Sequence, residues 1–180
     1  MTRVNHYLKN QVARDFILKN TYHNIQQVPK FTQITLSLCL NLGGQEEKML
    51  TPHFLGLEKV SHQKPKKTYA KKSIAEFTIR KGQVFGCKVN LRGPQLYELL
   101  DTLIVLVFPQ IPDFGGISTK SFQNDQSLTL GFSKFAIFPE VERDFEILDF
   151  LKGLNITITT TAKNQKELTS LLSAIRFPLV

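Results

Sequence analysis

The lysines and arginines between Ser61 and Gly93 are the residues of this sequence best suited to chemistry, and that chemistry is the binding of anions. The segment holds nine of them against one acid, Glu76, so its formal charge of +8 equals that of the whole 180-residue chain. They are Lys64, Lys66, Lys67, Lys71, Lys72, Arg80, Lys81, Lys88 and Arg92. Positive charge concentrated in this way indicates a polyanionic partner. A solvated lysine-rich surface is the ordinary alternative.

The end of this segment alternates between apolar and polar residues, which predicts a half-buried strand. Phe85, Cys87, Val89 and Leu91 share one face of such a strand, and Lys88, Asn90 and Arg92 share the other. The first face suits a core and the second suits phosphate and hydroxyl groups. Because Phe85 falls on the core face, contact with a folded RNA backbone is more strongly predicted than base stacking on Phe85.

Other kinds of site are not indicated. Four scattered histidines and two distant cysteines have no metal-ligand spacing, and neither a phosphate-binding glycine loop nor a nucleophile elbow is present. The longest apolar run, Leu103 to Phe108, is too short to span a bilayer. We therefore expect no metal, cofactor, small-molecule substrate, membrane partner or enzymatic activity.

The elements that must position the cations follow from periodicity. Helices are predicted at 5–19, at 46–60 with Pro52 disturbing the helix, from Gly93-Pro94 onward, at 140–149 and after Asn164. Strands are predicted at 34–40, within 61–93, at 128–138 and around 154–159. A loop is predicted at 108–118. In the basic segment the tip is either Lys81-Gly82 or Ala70 to Ser73. This order predicts one α+β domain over residues 1–180. It would be an open-faced sandwich, with an antiparallel sheet, helices packed on one face and a basic protruding hairpin or loop.

The other face of that sheet would be polar. It would carry Thr35, Ser37, Lys88, Asn90, Arg92, Thr157 and Thr159. Hydroxyl and amide groups with a few cations suit contacts to sugar and phosphate. A plain solvent-facing sheet remains the alternative.

Several longer motifs resemble one family. They include Gln63-Lys64-Pro65, Ala70-Lys-Lys-Ser73, Phe77-x-Ile79-Arg80-x-Gly82, Gly86-Cys-Lys-Val-x-Leu-Arg-Gly93, Asp113-Phe-x-Gly116-Ile-Ser118, Ile137-Phe-Pro-Glu140 and Thr160-Thr-Ala-Lys163. In order and over essentially the full length, they resemble the universal "large-five" family of large-subunit ribosomal proteins that bind 5S rRNA.

The resemblance implies a structural component of the ribosome's central protuberance, in contact with 5S rRNA, large-subunit rRNA, P-site tRNA and a small-subunit head protein. The rRNA-binding residues would be Thr35, Ser37, Gln63, Lys88, Asn90 and Arg92. The loop facing tRNA would include Lys71, Lys72, Ser73 and Lys81. Candidates for the intersubunit side are Asp113, Phe114, Gly116 and Glu140, with the acidic segment that follows Glu140.

Some positions depart from the family pattern. Ser37 stands where the family usually has asparagine, Asn90 where it has threonine, and Glu76 where it has glycine. Gly115 replaces a basic residue, and 123–127 replaces a turn that contains glycine and arginine. With enrichment in Lys, Asn, Ile and Phe, this drift favours a ribosome in the mitochondrial matrix, and a plastid or a bacterial cytoplasm is the alternative. An RNA-modifying or RNA-cleaving enzyme and a free carrier of 5S rRNA are the competing functions.

Overall fold

The computed structural model describes residues 3–39, 50–76, 79–112, 114–119, 122–135, 137–142 and 152–180. The helices are α1 (Arg3–Tyr7), α2 (Ala13–Lys19), α3 (Leu50–Ser61), α4 (Pro94–Thr102), α5 (Phe108–Gln110), α6 (Pro139–Glu142) and α7 (Gln165–Ala174). The strands are β1 (Phe31–Cys39), β2 (Lys66–Tyr69), β3 (Val84–Leu91), β4 (Phe122–Asn124), β5 (Ser127–Lys134) and β6 (Lys152–Thr160). Short π-helical segments, Leu8–Val12 and Leu103–Val107, join α1 to α2 and α4 to α5.

The six strands form one sheet in the order β2-β3-β1-β6-β5-β4. The outermost pairs, β2 with β3 and β4 with β5, are antiparallel. Along β1 the apolar Ile34, Leu36 and Leu38 are buried, whereas Thr35 and Ser37 between them are only half-buried. The predicted α+β class, an antiparallel sheet with helices packed against it, is confirmed.

The chain forms two compact units. The first comprises Met1–Ile34, Leu91–Leu130 and Thr157–Val180, and the second comprises Thr35–Asn90 and Gly131–Ile156. The core of the first contains Val12, Phe16, Leu100 and Leu171, and that of the second contains Leu36, Leu57, Val89, Phe138 and Ile156. Within the second unit, α3 packs against α6.

Helix α4 begins where the sequence predicts. Gly93, with φ of +65°, occupies its N-cap position, and Pro94 follows in the first turn, where its missing N–H costs no hydrogen bond. The helix buries Leu96, Leu99 and Leu100. The loop predicted from Phe108 starts later, since α5 adds a helical turn up to Gln110.

Two other predicted segments differ in detail. The strand predicted over 128–138 ends at Lys134, because Phe135 and Phe138 lie three residues apart in a turn that buries both rings, with centroids 5.7 Å apart. Within the helix predicted at 5–19, Phe16 is buried but the equally apolar Ile17 is exposed. Pro52 lies in the first turn of α3, where proline is tolerated, and 46–49 lie outside the described residues.

Candidate nucleic-acid interface

The β2–β3 hairpin carries most of the charge. Its register places Lys66 opposite Lys88 and Thr68 opposite Gly86, and it then shifts so that Tyr69 lies opposite Val84. The extra residue in β3 is a β-bulge, which lets the consecutive side chains of Val84 and Phe85 both pack against the core. Phe85 therefore packs as its position in the alternation predicts.

The predicted alternation of β3 is present. Cys87, Val89 and Leu91 are buried, while Lys88, Asn90 and Arg92 are exposed. Burial raises the pKa of the Cys87 thiol to about 12, so this group is a neutral part of the core at physiological pH.

A polar surface forms where β3 runs beside β1. The Thr35 hydroxyl donates a hydrogen bond to Oδ1 of Asn90 over 3.2 Å, which fixes the orientation of that amide. Ser37 is the next outward-facing residue of β1, and it is half-buried. Lys88 is exposed two residues before Asn90 and has Lys66 as its cross-strand partner. The structure thus brings Thr35, Lys88 and Asn90 of the predicted rRNA set together on one sheet face.

Arg92, one residue beyond β3, has a neutral anchor. Its Nε and Nη2 donate to Oε1 of Gln33, over 3.3 Å and 2.9 Å respectively. Because Gln33 is uncharged, it holds the guanidinium in place without cancelling the positive charge, and it leaves the other guanidinium donors available. An arginine arranged in this way is preorganised for a phosphate.

Gln63 lies just after α3 in a short bend. The Ser61 hydroxyl donates to the carbonyl oxygen of Leu57 over 2.6 Å and accepts a hydrogen bond from the Gln63 N–H over 3.3 Å, and His62 adopts a positive φ of 51°. These contacts fix the backbone on which the half-buried Gln63 side chain stands. Gln63 belongs to a loop, whereas Thr35, Lys88 and Asn90 belong to strands.

The loop between β2 and β3 is tied at its base. The Ala70 N–H donates to Gln83 O and the Gly82 N–H donates to Ala70 O, each over 2.9 Å. Above them, the N–H of Lys81 donates to the Ser73 hydroxyl over 2.9 Å, and Ile74 pairs with Ile79. Both segments predicted as the tip therefore lie at the base of the loop, and neither is the tip. Residues 70–73 begin the loop, and Lys81-Gly82 ends it, with a φ of +85° at Gly82.

All eight cations between Lys64 and Lys88 are exposed, and so are Arg92 and Glu76. None of the eight has an ion pair with a carboxylate in the described part of the chain. Lys67 lies over the Phe54 ring of α3, with Nζ 5.9 Å from the ring centroid. The hairpin thus presents positive charge that the described residues do not neutralise.

Two of the intersubunit candidates, Phe114 and Gly116, have evident packing roles. Phe114 stacks on Phe108, with centroids 5.2 Å apart and planes at 13°, and Phe108 meets Phe177 edge-on. Gly116 has a φ of +91°, and a methyl group there would overlap the Val180 side chain.

The acidic candidates are only partly described. Glu140 lies in the first turn of α6, and its buried Oε2 has no hydrogen-bond partner among the described residues. Asp113 and residues 143–151 lie outside the described residues, and so does most of the helix predicted at 140–149.

Two residues that pair with members of the predicted rRNA set were missing from that set. Gln33 is separated from Arg92 by 59 residues, and only strand pairing brings them together. Lys66 belongs to the basic segment, but its position opposite Lys88 depends on the hairpin register. The sequence offered one indication of a role for Gln33: it is a polar residue two positions before Thr35, so in a strand it lies on the same face as Thr35.

Two other kinds of site do not occur within the described ranges. These ranges contain neither a cluster of three or more potential metal-binding His, Cys, Asp or Glu residues nor a helix long and apolar enough to cross a bilayer.

Comparison with known proteins matches nearly the whole chain. The family model described as "Ribosomal protein L5" matches residues 24–80, and the model of the C-terminus of the same ribosomal family matches residues 84–179. The protein named large ribosomal subunit protein uL5 from Nitrosomonas europaea is 42% identical over 178 residues, covering 99% of this chain and 98% of its own. That from Buchnera aphidicola subsp. Baizongia pistaciae is 43% identical over 172 residues, covering 96% and 95%.

Two family models together and relatives above 40% identity at this coverage confirm the predicted family. They also confirm the expectation of a structural protein that is not an enzyme. The chain belongs to the ribosomal protein L5 family.

Proposed function

We propose that this chain holds 5S rRNA in the central protuberance of the large ribosomal subunit through the polar residues of its sheet. As a member of the L5 family the chain is a structural constituent of the large subunit, and the choice of RNA is the proposal. The residues proposed to contact 5S rRNA are Thr35, Ser37, Gln63, Lys88, Asn90 and Arg92. Arg92, held by a neutral partner and exposed, is the observation that carries the proposal.

The cross-strand pair of Lys66 and Lys88 supports the same conclusion. Like charges directly opposite each other in a sheet destabilise it. A bound phosphate between or beside them would remove this repulsion. The arrangement is therefore better suited to a protein that works with a polyanion bound than to one that works alone.

The loop and the intersubunit side complete the proposal. Lys71, Lys72, Ser73 and Lys81 are proposed to face P-site tRNA, because the loop projects exposed cations from a tied base. Asp113, Phe114, Gly116 and Glu140 are proposed to lie toward a small-subunit head protein. That assignment rests on the family resemblance alone, and large-subunit rRNA is the remaining expected partner.

The compartment is a separate hypothesis. Composition favours the mitochondrial matrix, with a plastid or a bacterial cytoplasm as alternatives. The relatives named above are bacterial proteins and give the mitochondrial placement no support. Sedimentation of the tagged chain with ribosomes from isolated organelles, and not with cytoplasmic ribosomes, would support it.

The binding test compares Arg92→Ala with Gln33→Ala. We expect Arg92→Ala to weaken 5S rRNA binding by about 1–3 kcal/mol and to reduce the log–log salt dependence by about one unit, since one charged contact is lost. Gln33→Ala removes only the anchor. It should weaken binding by a smaller amount, about 0.5–1.5 kcal/mol, and leave the salt dependence unchanged.

The matched control is Arg14→Ala, which removes an exposed arginine of α2 outside the basic segment. Affinities are measured by filter binding at several salt concentrations, after circular dichroism has shown that each variant is folded. Equal affinity of wild type and a folded Arg92→Ala protein would overturn the proposed role of the sheet.

A further inference from the structure

An aromatic ring is exposed within the basic hairpin. Tyr69 ends β2, one of the two edge strands of the described sheet, and is 57% exposed. Its hydroxyl has no hydrogen-bond partner among the described residues. Tyr22 and Tyr97, by contrast, are half-buried, and burial raises the pKa of each. Single exposed apolar residues are common in proteins, so exposure alone does not indicate a binding role for Tyr69, and the residues around it must be considered.

The backbone at Tyr69 is held from both sides. Tyr69 pairs with Val84 across the hairpin, and the next residue, Ala70, makes the two hydrogen bonds that tie the base of the loop. Val84 in turn packs against the core. The ring therefore extends from a fixed point, and ordering it on binding would cost little entropy.

Exposed cations precede and follow this position in the hairpin. Lys67, two residues earlier on the same side of β2, lies over Phe54, and the exposed Lys71, Lys72 and Lys81 belong to the adjoining loop. Lys66 and Thr68 lie on the opposite side of β2, with Lys88 and Gly86. Tyr69 thus stands apart from the sheet face proposed to hold 5S rRNA.

We propose that Tyr69 is a stacking platform for an unpaired nucleobase of a structured RNA, with the neighbouring lysines binding its flanking phosphates. A flat aromatic ring beside cations is the usual arrangement for holding a base that is free to leave the helix, because every base has a π-face. Paired bases are already stacked and cannot reach such a ring. The inference rests on the proposed function of an RNA-binding protein. It adds base stacking on Tyr69 to the polar contacts proposed for the sheet face.

The test uses three synthetic RNA hairpins that differ at one site: a single bulged nucleotide, the same bulge without its base, or full pairing. Wild-type protein should bind the bulged RNA about 5- to 150-fold more tightly than the abasic one, the range for one stacked base. Tyr69→Phe should keep this preference and Tyr69→Leu should abolish it. Tyr7→Leu, at an exposed tyrosine outside the basic segment, should keep it.

A second readout is spectroscopic. The chain has no tryptophan, so Tyr69→Trp introduces a single indole whose fluorescence reports the site. Its emission should be quenched by the bulged RNA and not by the abasic RNA.

The outcomes separate the two proposals. Wild-type protein that binds 5S rRNA but does not distinguish the bulged from the abasic hairpin overturns the stacking role and leaves the sheet face standing. A preference that survives in Tyr69→Leu also overturns the stacking role. An Arg92→Ala protein that loses affinity for 5S rRNA while keeping the preference supports both proposals, whereas wild-type protein that binds neither RNA overturns both.

Discussion

At the scale of single residues, the interface depends on neutral neighbours that orient polar groups without cancelling charge. Gln33 anchors Arg92 and Thr35 orients Asn90, and neither anchor carries a charge. A carboxylate at position 33 would hold the guanidinium more strongly but would cancel its charge toward a phosphate. On the buried side of β3, Cys87 is a neutral thiol, because burial in the core disfavours its ionised form and raises its pKa.

Cys87 gives a prediction about alkaline stability. Its pKa is raised from 9.0 to about 12 by burial, so the folded state keeps a proton that the unfolded state releases above pH 9. Below pH 9 the thiol is protonated in both states and does not affect the free energy of unfolding. Between pH 9 and 12 the free energy of unfolding falls, by at most about 1.4 kcal/mol per pH unit, because only the unfolded state has released the proton.

The measurement is the free energy of unfolding in urea, with reductant, between pH 8 and 11. A Cys87→Ala protein should start less stable, because a buried group is truncated, but its stability should fall less steeply with pH than that of wild type. Cys39→Ala is the comparison at the more exposed cysteine, where partial burial raises the thiol pKa as well, and we expect it to flatten the slope less than Cys87→Ala does. Parallel alkaline slopes for wild type and Cys87→Ala would contradict the assignment.

At the scale of elements, the β2–β3 hairpin determines where the charge points, and its shape depends on close packing at Gly86. A methyl group at Gly86 would overlap the Leu38 backbone oxygen of β1 and lie 3.0 Å from the Thr68 hydroxyl oxygen. A residue with a side chain would push the hairpin away from β1. The polar surface needs that approach, since Thr35 of β1 must reach Asn90 of β3.

Gly86→Ala is therefore expected to destabilise the fold by about 1–3 kcal/mol, as overpacking of a well-packed site does. Gly131→Ala is the matched control within a strand, because a methyl group there meets only Asn155 Oδ1 at an ordinary 3.5 Å. Thermal or urea unfolding of both variants checks the prediction. Equal stability of the two variants would show that β1 and β3 tolerate separation.

The sequence predicts these elements well where periodicity is local. The alternation in β1, β3 and β6 and the Gly93-Pro94 start of α4 are sufficient to assign them. The sequence predicts the structure less well where it depends on contacts between residues that are far apart in the sequence. The bulge that turns both Val84 and Phe85 inward depends on pairing with β2, and the turn at 135–138 resembles a strand in sequence because it is apolar. The anchoring of Arg92 by Gln33 is likewise a product of the fold.

At the scale of the whole molecule, the charge is divided between regions that can be tested separately. The cations of the β2–β3 loop are exposed above a tied base, whereas Lys88 stands on the polar sheet face. Outside 61–93 the chain is neutral, so nonspecific attraction to RNA should arise almost entirely from this one segment.

The double variant Lys71→Ala with Lys72→Ala tests the division. We expect it to weaken contact with P-site tRNA on reconstituted ribosomes. It should leave 5S rRNA affinity at physiological salt, where nonspecific attraction is screened, close to wild type, because the loop is proposed to face tRNA. The control pair Lys163→Ala with Lys166→Ala removes the same charge from exposed positions around the start of α7. If the loop variant loses 5S rRNA affinity and the control does not, the loop belongs to the 5S rRNA site.

The most direct measurement is a cryo-electron microscopy map of a ribosome that contains this chain. We predict that 5S rRNA phosphates lie within hydrogen-bonding distance of the Lys88 ammonium and the Arg92 guanidinium, with Gln33 still bound to Arg92. A map in which both side chains face solvent, or are covered by protein, would contradict it.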